Sequence, residues 1–308
     1  MKPIVTLTMN PTIDKNTKVD QLVPEQKLRC DKPVVEPGGG GINVSRVINR
    51  LAGDSLAVFT AGGNTGKTLR EMLSQEGVPQ LPIPVAHRTR ENFIVLETLT
   101  NQQYRFSLGG PTLSEKEWQT CLTTLAELQP RPDDLVASGS LPPGVPSDFY
   151  ARVARIARES GSRFILDTSG EALQLAANEG VYLLKPNLLE LTKLVGPETV
   201  MMGGLEGAAR QVIARGHCEV VVISMGPEGA LLVSEDVVAR VHVPPAPKRS
   251  TVGAGDSMVA GMVLGLSQGR SLTEMVRYGV ACGTAATMNS GTELCHPEDV
   301  ERLLAQMG

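Results

Sequence analysis

Ser250-Thr-Val-Gly-Ala-Gly-Asp-Ser257 joins a polar, proline-bounded stretch, Val243-Pro-Pro-Ala-Pro-Lys-Arg249, to an apolar run, Met258–Leu266. Gly253 and Gly255 let a ligand come close to the backbone. A helix starting there leaves its first N–H groups unpaired and aims the positive end of its dipole at the same spot, which makes an anion site. Asp256 is the carboxylate in that mouth. Amides that hold a phosphate, beside a carboxylate that takes a proton, are the parts for phosphoryl transfer to an alcohol. In that chemistry Asp256 is the base, and the N–H groups of Gly253, Ala254 and Gly255 receive the charge spreading over the transferred phosphoryl. The plainer reading is a glycine loop whose aspartate caps a helix.

Three further segments carry candidate chemistry. Glu36-Pro-Gly-Gly-Gly-Gly-Ile-Asn-Val44 sets four glycines before a helical run, at an entropic cost that a close backbone approach would explain. Lys185-Pro-Asn-Leu-Leu-Glu190 and Ser224-Met-Gly-Pro-Glu-Gly-Ala230 each follow a short apolar strand. Asp14 ends the first strand region, where α/β sheets place ligands. A fourth segment reads as a decoy. Ala61-Gly-Gly-Asn-Thr-Gly-Lys-Thr68 fits the loose P-loop pattern between a strand and a helix, which makes a P-loop nucleotide fold the rival architecture. No acidic strand suited to magnesium accompanies it.

These segments need a scaffold, and the chain's rhythm supplies one. Strands are expected at Ile4–Met9, with the terminus from Met1 read as its lead-in, and at Ser55–Thr60, Leu135–Ala137, Arg163–Asp167, Val181–Leu184 and Val220–Ser224. Helices are expected at 41–51, 66–75, 147–159, 187–194, 204–215, 256–268, 271–289 and 297–306. The alternation predicts a parallel sheet with helices on both faces. It breaks at 15–36, which shows no helix, and at 90–107, which reads as a hairpin around Leu99–Gln102. Gly261 and Gly265, four apart, predict close packing of two helices. Hydrophobic residues are 41% of the 308 and charged residues 20%, a globular composition with an aliphatic core, since aromatics are 3%. A net charge of −4 with no basic run argues against nucleic acid, and no apolar stretch approaches a membrane span of roughly 20 residues. Five cysteines without Cys-x-x-Cys spacing read as reduced thiols of a cytoplasmic protein.

The GAGD loop resembles the second signature of the ribokinase-like sugar kinases, the phosphofructokinase-B family, and 36–44 resembles the first. Thr8-Met-Asn-Pro-Thr-Ile-Asp14, 185–190 and 224–230 complete five motifs in the family's order. Lys27-Leu-Arg-Cys30, Ser138-Gly-Ser-Leu-Pro-Pro-Gly144 and Asp167-Thr-Ser-Gly-Glu-Ala172 are similar to the branch acting on fructose 6-phosphate. The resemblance implies one ribokinase-like α/β domain over 1–308, with a small β lid from about 15–36 and 88–107 that also makes a homodimer contact. It implies phosphorylation of fructose 6-phosphate to the 1,6-bisphosphate by ATP and Mg2+. Fructose 1-phosphate or tagatose 6-phosphate as acceptor would share every motif, and a catalytically silent sugar-phosphate sensor is the reading from another class. The resemblance carries sugar contacts onto Asp14, Gly39, Gly40 and Asn43, with Ser138 and Gly139 adding donors. Lys27, Arg90 and Arg105 are its candidates for the substrate phosphate, a role that suits the guanidinium fork. It assigns Lys185, Asn187, Ser224, Gly226, Gly229, Lys248, Val280, Gly283 and Thr284 to the nucleotide, and Glu190 to magnesium through water. A K+ or similar monovalent ion would take backbone oxygens of Ser250, Val252, Ala286, Asn289 and Gly291.

Overall fold

The computed structural model describes residues 3–307. Met1 and Lys2, the lead-in to the first strand, and Gly308 lie outside the described residues. The chain begins β1 (Ile4–Thr8), β2 (Thr12–Val19), β3 (Val34–Gly38), α1 (Gly40–Arg50), β4 (Ser55–Ala61), α2 (Gly63–Gln75) and β5 (Gln80–Pro84). A hairpin follows, β6 (Arg90–Glu97) and β7 (Gln102–Phe106), and then α3 (Glu115–Glu127). Next come β8 (Asp134–Ser138), α4 (Phe149–Ser160), β9 (Arg163–Asp167), α5 (Gly170–Asn178), β10 (Val181–Leu184), α6 (Leu188–Val195), α7 (Pro197–Ala214) and β11 (Cys218–Ser224). The last strands are β12 (Ala230–Val233) and β13 (Val238–Val241), and the chain closes with α8 (Ala254–Ser267), α9 (Leu272–Thr287) and α10 (Pro297–Gln306).

The large sheet has nine strands in the order β13-β12-β11-β10-β9-β8-β1-β4-β5. From β11 to β5 every pairing is parallel, and β12 and β13 add an antiparallel edge. The parallel strands are short apolar runs because helices cover both of their faces. One face carries a core of Val5, Leu7, Trp118, Phe149, Tyr150 and Val153. The other carries Val44, Val47, Val259, Met262, Val263, Met275 and Val276 from α1, α8 and α9. A Cβ on Gly261 would lie 2.9 Å from the Tyr278 carbonyl oxygen, so α8 and α9 pack as closely as the glycine pair predicts. Among the described residues no helix is long and apolar enough to cross a membrane.

The second sheet has four strands in the order β3-β2-β6-β7. β2 runs parallel to β6 and sets Asp14 directly opposite Asn92, while antiparallel β3 sets Glu36 opposite Asp14 on the other side. Asp14 therefore does not end the first strand, as the sequence suggested, but lies inside β2 of this second sheet, on a strand neighbouring that of Arg90, 76 positions away in the sequence.

The structure corrects several sequence expectations. α3, α5, β5, β12 and β13 are additions. α3 had a readable start, since Ser114 and Glu117 form a reciprocal capping box. The helix expected at 204–215 begins at Pro197, and Gly204 interrupts it with φ 63°, ψ −170°. The expected start was thus the position of the break.

Candidate active site

The loop ends that carry the motifs gather along the carboxyl edge of the parallel strands, where doubly wound sheets bind ligands. Ser138 ends β8, Asp167 ends β9, Lys185 follows β10 and Ser224 ends β11. Gly253 is the N-cap of α8 with φ +74°, a left-handed turn that glycine adopts without steric cost. Ala254, Gly255 and Asp256 are therefore the first three residues of the helix, whose N–H groups lack intrahelical partners. Asp256 does not use its side chain as a local cap. Its Oδ2 accepts a hydrogen bond of 2.8 Å from Asn43 Nδ2, across from α1.

Electrostatics single out the same carboxylate. Burial pushes the Asp256 carboxyl up to about 6; Asn43 and the Lys185 ammonium pull it down, and the Asp167 and Asp14 charges push it up. Lys185 is buried, yet its ammonium stays above its ordinary value. Burial is the largest influence and opposes its charge, but the Asp167 carboxylate at 3.1 Å, together with the Glu190 and Asp256 charges, outweighs it. The same ammonium is 3.8 Å from where a Cβ on Gly255 would be, so Lys185 faces the GAGD loop. The arrangement suits a base of near-neutral pKa beside a fixed cation and unpaired amides.

The glycine-rich turn closes the other side. Gly39 is the N-cap of α1 with φ +116°, a conformation that L side chains rarely adopt. A Cβ on Gly38 would collide with the Asp14 carboxylate, and one on Gly40 with the Ser138 hydroxyl. The turn therefore packs directly on two of the predicted sugar contacts, and protein atoms alone already explain part of its glycine content. Gly139 follows with φ +109°, its N–H bonded to the Asp167 carbonyl and its own carbonyl to Tyr150 and Thr168 hydroxyls. Asp14 is buried, which raises its carboxyl above the ordinary range against the Asn92 hydrogen bond at 3.0 Å and the Arg90 charge.

Arg90 is anchored by two backbone carbonyls. Its Nη1 donates to the Leu108 carbonyl and its Nη2 to the Asn10 carbonyl, both at 3.1 Å, while its buried Nε has no partner. Burial lowers its pKa against the pull of Asp14. A cavity of about 350 Å³ opens beside it, between His87–Glu91 and Leu108–Thr112. Arg105, exposed on β7, reaches across to the GAGD side, where its Nη2 donates to Thr251 Oγ1 at 2.8 Å. Lys27 is not brought in: it sits exposed in the loop between β2 and β3, with no hydrogen bond or ion pair among the described residues. Two larger cavities, each about 810 Å³, do not contain Asp256. One lies between the second sheet and Lys248–Arg249 and Ser290–Glu293, and the other at the amino-terminal ends of β9, β10 and β11.

Among the residues expected at the nucleotide, Asn187 and Glu190 form a reciprocal capping box at the start of α6. Asn187 Oδ1 accepts from the Glu190 N–H and Glu190 Oε2 from the Asn187 N–H, both at 2.9 Å. The Asn-x-x-Glu spacing thus has a helix-start cause in addition to any ligand role. Ser224 bridges to Asn187, and Gly226 and Gly229 take positive φ in the turn before β12. Lys248 is exposed. Val280 and Thr284 are buried in the α8–α9 packing, and a Cβ on Gly283 would lie 3.0 Å from the Ala254 carbonyl oxygen. Of the residues considered for a monovalent ion, Ser250 links Val252 and Gly291 through its hydroxyl. Arg249 and Ser250 N–H groups bond to the Thr287 carbonyl, and Ser250 Oγ donates to the Gly291 carbonyl at 2.7 Å.

Two residues that the sequence reading gave no role stand in this site. Asp167 ends a buried strand, the same signal that marked Ser138. Asn92 lies two residues from Arg90 on one strand, hence on one face, and its Oδ1 also accepts from the Leu108 N–H.

The P-loop-like segment is filled by protein. A Cβ on Gly62 would collide with the His87 carbonyl, and the Gly62 N–H and carbonyl bond to Thr89. Lys67 points away, with 75% of its side chain exposed. Lys67→Ala should leave the Michaelis constant for ATP essentially unchanged. Collapse of ATP binding in a folded variant would restore the P-loop rival.

Known proteins match the chain over nearly its whole length. The profile described as pfkB family carbohydrate kinase matches residues 3–299. ATP-dependent 6-phosphofructokinase isozyme 2 of Mycobacterium tuberculosis is 48% identical over 299 residues, covering 97% of this chain and 88% of the relative. The structure of Escherichia coli phosphofructokinase-2 in complex with potassium superposes with a TM-score of 0.95 at 43% identity, covering 100% of this chain and 99% of that one. The same enzyme in complex with fructose-6-phosphate gives 0.94 at 42% identity, with the same coverage. Relatives named 1-phosphofructokinase, from Bacillus subtilis, and tagatose-6-phosphate kinase, from Staphylococcus epidermidis, stand at 33% and 31% identity, each over 99% of this chain and 98% of its own length.

Proposed function

The chain belongs to the pfkB carbohydrate kinases, and we propose that it is an ATP-dependent 6-phosphofructokinase, converting fructose 6-phosphate to fructose 1,6-bisphosphate. The observation that carries the reading is Asp256, held by Asn43 in the mouth of α8 between a phosphate-binding side and a sugar-binding side. Asp256 accepts the proton of the sugar's 1-hydroxyl as that oxygen bonds to the γ-phosphorus of ATP. The bond from γ-phosphorus to the β-phosphate bridging oxygen breaks, and ADP leaves. The N–H groups of Gly253, Ala254 and Gly255 receive the negative charge of the transferred group. Asp14, Asn43 and the Gly39–Gly40 turn, with Ser138 and Gly139, hold the sugar hydroxyls, and Arg90 faces its phosphate. Arg105 ties the second sheet, acting as a lid, to the loop carrying the anion site.

ATP takes the later strand ends, Lys185, Asn187, Ser224, Gly226 and Gly229, with its base toward Lys248, Val280, Gly283 and Thr284. Glu190 fits a magnesium ion held through water, since the capping box engages Oε2 and leaves Oε1. Such an ion neutralises phosphate charge when bound. The carbonyl-rich junction of Ser250 and Val252 with Ala286, Asn289 and Gly291 fits a weakly bound K+. The protein is read as cytoplasmic and self-associating through the lid sheet, which leaves Val34, Phe93, Tyr104 and Phe106 exposed.

Initial rates with Mg-ATP on fructose 6-phosphate, fructose 1-phosphate, tagatose 6-phosphate and fructose test the reading. The highest kcat/KM is expected with fructose 6-phosphate. A higher value for either other phosphosugar overturns the substrate and leaves the kinase chemistry. Binding of a sugar phosphate with no turnover on any acceptor overturns the enzyme in favour of a sensor.

A further inference from the structure

Arg46 takes no part in the chemistry above, yet it is a cation with a side chain only 1% exposed. It lies one turn after Asn43 on α1 and is clamped on every side. Its Nε and Nη2 each donate to the Glu76 carboxylate at 2.7 Å, and Glu36 lies 3.6 Å away. Its Nη1 donates to the Pro37 carbonyl at 2.7 Å and to Asn43 Oδ1 at 3.4 Å. Burying a cation needs full pairing. Glu76 supplies that pairing, so the contact of Nη1 with Asn43 is additional to it.

The two ends of the Asn43 amide are chemically opposite. Oδ1 faces the guanidinium and Nδ2 donates to Asp256 Oδ2. A half-turn about the last side-chain bond would set Oδ1 against the carboxylate, which repels it, and Nδ2 against a cation. We propose that Arg46 is a positioning residue, which fixes the end of Asn43 that faces Asp256 and thereby keeps the base a hydrogen-bonded, aimed carboxylate. The inference rests on the assignment of Asp256 as base. The groups facing Asp256 come from four elements: Asn43 on α1, Asp167 at the end of β9, Lys185 after β10 and Asp14 on β2. Asn43 and Lys185 favour its ionised form, and the two carboxylates oppose it. Without a directed Asn43, Lys185 and the positive end of α8 are left to oppose burial and two negative charges.

The test is the pH profile of kcat/KM for the wild type, Arg46→Lys and Glu76→Gln, each with and without Asn43→Ala. Arg46→Lys keeps the charge and loses the fork. It should move the acid limb upward by about half to one pH unit and lower kcat about tenfold, with the KM for ATP unchanged. In the Asn43→Ala background it should move the limb no further. Glu76→Gln, at a partly exposed site, loosens the clamp without touching the cation and should shift the limb the same way by less. It decides the matter if Arg46→Lys does not fold. A limb that is present in the wild type and unmoved in the folded variants, or moved equally with Asn43 absent, overturns the role of Arg46 alone. A wild-type profile with no acid limb overturns the Asp256 assignment and this inference with it.

Discussion

Asp256→Asn should lower kcat by about 10² to 10⁴, the range that general-base assistance supplies, while ATP and sugar phosphate still bind. Asparagine has the shape of aspartate and can accept the Asn43 hydrogen bond, so the site should stay assembled. It cannot take the acceptor's proton. The same carboxyl fixes the pH dependence. Its pKa in the free site is raised to about 6 by burial, so the competent ionised form dominates above that value. The kcat/KM should therefore fall as pH drops through about 6. In Asp256→Asn the residual rate should lose that limb. Calorimetric binding of ATP together with a pH–rate series separates the outcomes. A variant that binds ATP and keeps a tenth of normal turnover would remove Asp256 from the chemistry.

What the sequence disclosed is what short-range physics encodes. The parallel strands were legible because a strand buried on both faces is a continuous apolar run, as in Val220–Ser224. The turn into α8 was legible because a left-handed N-cap at Gly253 needs glycine at the helix start. The edge hairpin β12–β13 leaves a weak signal because each strand has four residues and the outer one, Val238–Val241, is largely exposed. Contacts between distant segments left no local trace. Arg46 with Glu76 joins α1 to the end of α2 across 30 residues, Arg105 with Thr251 joins the second sheet to the loop before α8 across 146, and Asn43 with Asp256 spans 213. Each needs the folded pairing before it has meaning. Asn92 falls between these cases. Once β6 is a strand, its shared face with Arg90 follows from the two-residue period, and its partner Asp14 follows from the β2–β6 register.

Arg90→Ala should act on capture of the phosphosugar and spare the nucleotide. The guanidinium is held by the Leu108 and Asn10 carbonyls, and its Nε–H is buried without an acceptor. A buried donor left unpaired is costly, and a phosphate oxygen in the adjoining cavity would relieve it. A charge-assisted hydrogen bond contributes about 1.5 to 3 kcal/mol, so its loss should raise the KM for fructose 6-phosphate about ten- to a hundredfold. The KM for ATP should stay near the wild-type value. Free fructose is the control, because it meets Asp14 and Asn43 but offers nothing to Arg90. Its kcat/KM should be low in the wild type and change little in the variant, so the preference for the phosphorylated sugar should shrink. Arg90→Lys should recover part of the charge and none of the fork. If Arg90→Ala weakens fructose and fructose 6-phosphate equally, the residue only braces the Leu108 and Asn10 segments. The substrate phosphate must then be bound elsewhere.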